Sequence, residues 1–368
     1  MSVILEQELV QGSYVSDNKL VLEPVINSNQ TIPFLESQVL NPELFRAGIL
    51  QVNQILMAHP GVNLNKIYDP VVTVTENHVD FEGFARFGHS YCKIRFPEKL
   101  FTKRIRQEGV TNVDFNPQFI RDLRSRFYTR NLWVYIDPDV MEFAIENRSH
   151  VLKKIAMPRW WKDAYKALDR YIDRETLVPQ WDGEKADAYN KVILSGWAFQ
   201  KLVREVEYNE LLKKKGVRSL FWDDRSVTLL HGGQRSDGSA SVKLIKPCKK
   251  SIRSWGVWRI QNLSDIANQI IQADVYLAEK LPSFWILHAR SGVELLLGYT
   301  PYTSALWTET ARKEVERLLK DPYRDIIEPR RRTRRRRRKN RHQNKFKKRI
   351  NFVLMHPGQR IIPEYISN

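Results

Sequence analysis

The chain has 368 residues and a formal net charge of +18, with 42% hydrophobic and 28% charged residues. That length suits two domains or one large one, and the composition, with ten Trp, fourteen Tyr and sixteen Phe, excludes a wholly disordered protein. Fourteen of the eighteen net charges fall between Arg330 and Arg349, a stretch without Asp or Glu, which leaves +4 over the other 348 residues.

Residues 1–40 are acidic, with Glu6, Glu8, Asp17, Glu23 and Glu36 against Lys19 alone, and read as a loosely ordered arm. From Pro42 the spacing of Leu44, Ala47, Ile49, Leu50, Ile55 and Leu56 predicts a helix ending at His59-Pro60-Gly61. Period-two alternation at 71–75, 79–84 and 91–96 predicts an antiparallel meander, with a further strand at 132–136. Trp161, Tyr165, Leu168 and Ile172 share one helical face, and Val192, Gly196, Phe199, Val203 and Val206 predict a longer helix ending near Lys215-Gly216. Strands are expected at 226–230, 241–245 and 255–260, a helix over 264–279, and a hairpin of 284–289 and 293–299 around Arg290-Ser-Gly292. A helix at 303–320 and a strand at 350–355 complete the pattern. No repeat is visible in the residues. The fold class is therefore α+β, with antiparallel meanders and hairpins flanking a central helical block. The divisions are an arm at 1–40, α+β domains at 41–180 and 181–328, a basic segment at 329–349 and a terminal strand and tail at 350–368.

The basic segment is the most specific signal. Its cations are Arg330, Arg331, Arg332, Arg334, Arg335, Arg336, Arg337, Arg338, Lys339, Arg341, Lys345, Lys347, Lys348 and Arg349. Charge this dense repels itself, but against phosphate it becomes attraction with counterion release. Ten of the fourteen are Arg, whose planar fork suits phosphate and guanine and stacks on bases, so nucleic acid is the expected partner. The excess of Arg leans toward RNA or structured nucleic acid. The same run suits a nuclear-localisation signal if the source is eukaryotic. Lys103, Arg104 and Arg106, before a helix carrying Arg121, Arg124, Arg126 and Arg130, offer a second phosphate-tracking surface, unless acids such as Asp122 pair with them.

Catalytic candidates are fewer. Asp137 and Asp139, with Glu142 and Glu146 on a following helix, suit Mg²⁺, or else Asp137 or Asp139 caps that helix. Asp223, Asp224, His231 and Asp237 gather around a glycine loop, which a polar hairpin also explains. No P-loop, Gly-x-Gly-x-x-Gly or His-x-x-x-His spacing is present, so no cofactor is expected. His288-Ala-Arg290 reads as a hairpin end. Trp160 lies off the core stripe and suits a surface stacking platform. Cys92 and Cys248 stand outside any metal-type cluster and fit a reducing interior. The N-terminus lacks a basic n-region and no apolar window suits a membrane span, so an intracellular, membrane-free protein is expected. The sequence points to a non-enzymatic nucleic-acid-binding protein. A metal-dependent nuclease and an assembly subunit of a nucleoprotein complex are the alternatives.

Overall fold

The computed structural model describes residues 14–16, 19–21, 33–57, 70–85, 90–105, 107–125, 131–145, 148–155, 157–158, 160–180, 187–211, 218–231, 234–235, 241–255, 260, 263–279 and 281–300. The expected helix at 303–320, the basic segment and the terminal strand lie outside the described residues.

Two short strands, β1 (Tyr14–Ser16) and β2 (Lys19–Val21), precede the first half. That half runs β3 (Leu35–Gln38), α1 (Pro42–Met57), β4 (Val71–Val74), β5 (His78–Phe84), β6 (Ser90–Pro97), β7 (Gly109–Asn112), α2 (Pro117–Arg124), β8 (Leu132–Ile136), β9 (Val140–Ile145) and β10 (Arg148–Lys153). A connecting stretch holds β11 (Met157–Pro158), α3 (Trp160–Leu168), β12 (Ile172–Asp173) and β13 (Val178–Pro179). The second half runs β14 (Asn190–Ser195), α4 (Gly196–Leu211), β15 (Arg218–Trp222), β16 (Ser226–His231), β17 (Gln234–Arg235), β18 (Val242–Lys243), β19 (Ile252–Trp255), α5 (Ser264–Ala267), β20 (Ile270–Leu277), β21 (Ser283–Ala289) and β22 (Glu294–Tyr299). The fold is mixed α+β with antiparallel pairing throughout its named ladders.

The strand order reveals a repeat that the residues hide. The first strand and the last three strands of each half pair in that order, as β3-β8-β9-β10 and β14-β20-β21-β22. The remaining strands pair as β7-β4-β5-β6 and as β19-β15-β16 with β17 and β18. β17 and β18 are one strand broken open: Arg235 faces Leu230 but Val242 faces Val227, so four extra residues intervene. The ladder between β22 and β6 joins the halves into one eight-stranded sheet, β14-β20-β21-β22-β6-β5-β4-β7.

Helices cover one side of this wall. On β6, Cys92, Ile94 and Phe96 alternate with Tyr91, Lys93 and Arg95, and Phe45 of α1 lies 4.3 Å from Phe96. A Cβ on Gly48 of α1 would sit 2.3 Å from the Ile94 side chain, so this close approach requires glycine. In the second half Trp285 meets Phe199 of α4 at 6.5 Å and Trp222 of β15 at 5.6 Å. The helices lie side by side as α2, α1, α5 and α4. Arg46 of α1 donates to the Leu123 carbonyl at 2.9 Å, closing an open end of α2.

Several expectations shift. Residues 35–38, read as part of the arm, form β3, with Phe34 and Leu35 fully buried. The helix expected over 264–279 stops at Ala267, and Ile270–Leu277 is a strand between β14 and β21. A central strand shows near-continuous apolar character, which periodicity alone does not separate from a helix. Val192 belongs to β14, not to the helix that starts at Gly196, where a Cβ would meet the Ile270 carbonyl oxygen at 2.1 Å. Ile172 likewise leaves α3 for β12, while Trp161, Tyr165 and Leu168 are buried as their spacing requires.

Candidate nucleic-acid and subunit interfaces

The fourteen cations from Arg330 to Arg349 lie outside the described residues. The second proposed basic surface is shorter than expected, because α2 ends at Arg124 with Ser125 as its cap; Arg126 and Arg130 fall beyond it. Asn116 caps the helix start, accepting from the Phe119 N–H at 2.9 Å, with Pro117 next in sequence. Arg121 is exposed and donates to Gln118 at 2.7 Å. Asp122 turns away from the helix arginines, accepting from Arg148 of β10 at 2.8 Å and standing 3.2 Å from His150. The Gln118 hydrogen bond, against slight burial and with Arg148 and His150, lowers its pKa. Across the helix side, Arg46, Arg121, Arg124, Lys201 and Arg204 meet Glu43, Asp122, Glu205, Glu207 and Asp265 on half-buried or exposed positions. Charge on that side is balanced.

The two acidic pairs are turn residues. Asp137 Oδ1 accepts from the N–H groups of Asp139 (2.8 Å) and Val140 (2.7 Å), while the Asp137 N–H donates to the Val140 carbonyl. Asp223 Oδ1 does the same with Arg225 (2.8 Å) and Ser226 (2.6 Å), and its N–H donates to the Ser226 carbonyl. Each closes a hairpin, β8–β9 or β15–β16. Burial pushes the Asp223 carboxyl up, but these backbone donors outweigh it and lower the pKa. Glu142 lies on β9, so neither the expected helix nor its capping role at 137–139 exists. Glu146, the side chains of His231 and Trp160, and residue Asp237 lie outside the described residues. Among the described residues no three His, Cys, Asp or Glu side chains are placed to hold a metal ion.

The side of the eight-stranded sheet opposite the helices carries the chain's charged network. Asp80, 0% exposed, takes hydrogen bonds from Arg95 Nε (3.0 Å) and Nη2 (2.9 Å), with Lys93 Nζ at 2.7 Å and His78 Nε2 at 3.2 Å. Burial pushes this carboxyl up, but Lys93, His78 and Arg95 together hold it well below the usual carboxylate range. Glu82 accepts from Tyr91 and from Arg174 at 3.2 Å, while Arg174 stacks 4.4 Å over the Tyr165 ring and reaches Asp169 at 2.6 Å. Arg174 thus pins the connecting stretch onto β5. Arg95 donates to the Glu175 carbonyl and extends that clasp.

Further along, Glu294 faces Arg95 across the β22–β6 ladder, and His288 Nδ1 lies 3.0 Å from Glu294. His288 Nε2 is 4.0 Å from Asp274, which Lys191 reaches at 2.6 Å. The Glu294 hydrogen bond, against partial burial and Lys191 and with Glu294 and Asp274 charges, raises the His288 pKa. A raised folded-state pKa gives stabilisation that is fully present below the unfolded value and fades as pH rises through the folded one. The melting temperature of His288→Gln should therefore fall furthest below the native protein's at about pH 5.5, and least at about pH 8.5. Equal differences at both pH values would overturn this.

Edges complete the picture. Among the described residues β10 pairs only with β9 along 148–152. The Lys154 N–H donates to Asp139 beyond β9, whereas the Lys153 carbonyl accepts from Asp114 on the other side. Alternation then turns the Val151 N–H and C=O away from β9, and Val151 is 52% exposed. Period-two charge in Asp80-Phe-Glu82 and Lys93-Ile-Arg95 was the signal for the network. Nothing local marked the β10 edge.

No protein-family model matches this chain, and neither does any curated protein. The fold is similar to that of several solved structures. The PCNA2–PCNA3 complex of Sulfolobus tokodaii aligns at a TM-score of 0.53 and 12% identity, over 73% of this chain and 99% of that one. Proliferating cellular nuclear antigen of Entamoeba histolytica gives 0.51 at 10% identity, with the same coverage. The A. fulgidus PCNA bound to the C-terminal region of FEN-1 gives 0.50 at 10% identity, over 72% and 97%.

Proposed function

We propose that this chain is a non-enzymatic assembly subunit that joins head to tail with copies of itself and closes around nucleic acid. One observation carries the reading: the junction that unites the two halves leaves its own two components free elsewhere. The last strand of the second half, β22, pairs with β6, the third strand after α1. The equivalent strands are β10 in the first half and β17–β18 in the second, each at a sheet edge among the described residues. Repeating the internal junction between molecules would therefore pair β10 of one copy with β17–β18 of the next, on either side of the four-residue insertion. A heterologous contact of this kind closes into a ring when its rotation permits. The repeated junction keeps α1, α2, α4 and α5 on one side of the wall. That side is balanced in charge, so phosphate attraction falls to Arg330–Arg349. A resident nuclease centre finds little support where one acid of each pair, Asp137 or Asp223, is held by backbone N–H groups of a hairpin turn. The similar PCNA2–PCNA3 structure is that of a complex, which favours assembly as a use of this fold.

Val151→Pro tests the edge. It removes an outward N–H and leaves the β9 ladder whole, since proline is tolerated on sheet edges. Light scattering on the full chain should show an oligomer that Val151→Pro reduces to a monomer, with circular dichroism unchanged. A native chain that stays monomeric at high concentration, or an oligomer indifferent to the substitution, would sink the reading.

A further inference from the structure

We infer that the exposed face of α4 is a stacking site for unpaired bases, so that the chain binds single-stranded nucleic acid there. Trp197 and Tyr208 are 67% and 60% exposed, though both are large aromatics on a helix whose opposite face buries Phe199, Leu202 and Val206. Trp197, Lys201, Arg204 and Tyr208 stand at i, i+4, i+7 and i+11, within an arc of about 60° and along about 16 Å of helix. The order along the face is aromatic, cation, cation, aromatic. Lys201 Nζ lies 5.3 Å from the Trp197 ring centroid, and Arg204 is exposed. Glu207, on the flank, turns toward Ser264 of α5.

Exposed aromatics usually cover apolar partners, but a purely apolar partner would leave Lys201 and Arg204, the two cations between the rings, without a counter-charge. Single-stranded nucleic acid matches both components: bases stack on the rings while phosphates meet Lys201 and Arg204. A duplex, whose bases are already stacked, offers the rings nothing. The site concerns a helix face and not a strand edge, so it stands independently of head-to-tail assembly.

The test uses the full chain with a labelled oligo-dT strand and a duplex of equal length. Anisotropy is read at roughly 0.5 M salt, where phosphate contacts are weakened. Trp197→Ala and Tyr208→Ala should each weaken single-strand binding by about tenfold and leave duplex binding within about twofold, while Trp197→Phe retains most of the affinity. Both side chains are exposed, so melting temperatures should hold; were Trp197→Ala to misfold, Tyr208→Ala and Trp197→Phe carry the comparison. Unchanged single-strand affinity, or equal losses on single strand and duplex, would overturn the site. So would variants that alter the oligomer while binding single strands normally, which would make the stripe a protein contact. Val151→Pro reports on assembly separately.

Discussion

Deletion of residues 330–349 is expected to lower affinity for nucleic acid by about a thousandfold or more at low salt. The expectation follows from where the charge lies. The other 348 residues carry a net +4, and among the described side chains the helix side sets five cations against five acids on half-buried and exposed positions. If about half of the fourteen cations meet phosphates, the slope of log K against log salt is near −6, and the deletion should remove most of it. DNA and RNA must both be offered, in single- and double-stranded form, because arginine density alone does not choose between them. Light scattering should find the proposed assembly unchanged, since β10 and β17–β18 are left in place. Binding that survives the deletion with its salt slope intact would show that the folded domain holds the main phosphate contacts.

Local chemistry was read well wherever period and terminator agreed. The 42–57 helix, the 71–97 meander and the 283–299 hairpin each combine clear alternation or helical spacing with a stop such as Pro42, Glu76-Asn77 or Arg290-Ser-Gly292. Ser291 and Gly292 turn that last hairpin with φ of 56° and 74°. Ambiguity entered where burial on both faces erased the period. Ile270–Leu277 is flanked on both sides by strands, so the same residues satisfy a helical and an extended template. A strand running straight into a helix at Gly196 erased a boundary for the same reason, since no turn residues separate β14 from α4.

The repeat was illegible for another reason. It resides in pairing order, and strand pairing is decided by partners far apart in sequence. Leu295 faces Ile94, and Ser195 faces Gln272, with nothing in either neighbourhood naming the other. The acids at 137–139 and 223–224 looked like a site because hairpin turns and metal sites draw on the same residue type. Asp137 and Asp223 accept backbone N–H groups, and that use was as available from sequence as the catalytic one. Trp197 and Tyr208 show the reverse case. Helical spacing placed Phe199, Val203 and Val206 on one face without singling these two out, and the exposure of Trp197 and Tyr208 shows what lies on the other.

Asp80→Asn should destabilise the protein by about 3–5 kcal/mol. Asp80 stands 2.7 Å from Lys93 Nζ, and it also holds Arg95 through two hydrogen bonds. The side chains of Lys93 and Arg95 are 6% and 12% exposed, so water cannot replace the lost charge. Asparagine keeps the shape and one acceptor but leaves two cations facing a neutral group. Because the folded-state pKa of Asp80 is depressed, its contribution is present above the unfolded carboxylate value and fades only as pH falls toward the folded one. The loss should therefore be constant from about pH 6 to pH 8, and nearly independent of salt, since a buried pair is little screened. Thermal melting of Asp80→Asn should fall by roughly 10 °C. The double variant Asp80→Asn, Lys93→Met should recover part of this, because it removes one stranded cation and leaves an apolar side chain in its place. A double variant less stable than Asp80→Asn would mean that Lys93 stabilises the sheet through its own packing and not as the partner of Asp80. The consequence reaches beyond stability. Arg95 faces Glu294 across the β6–β22 ladder and also holds the connecting stretch at Glu175. Loss of its counter-charge should loosen the seam between the two halves before either half unfolds, visible as faster amide exchange in β6 and β22 than in β8 and β9.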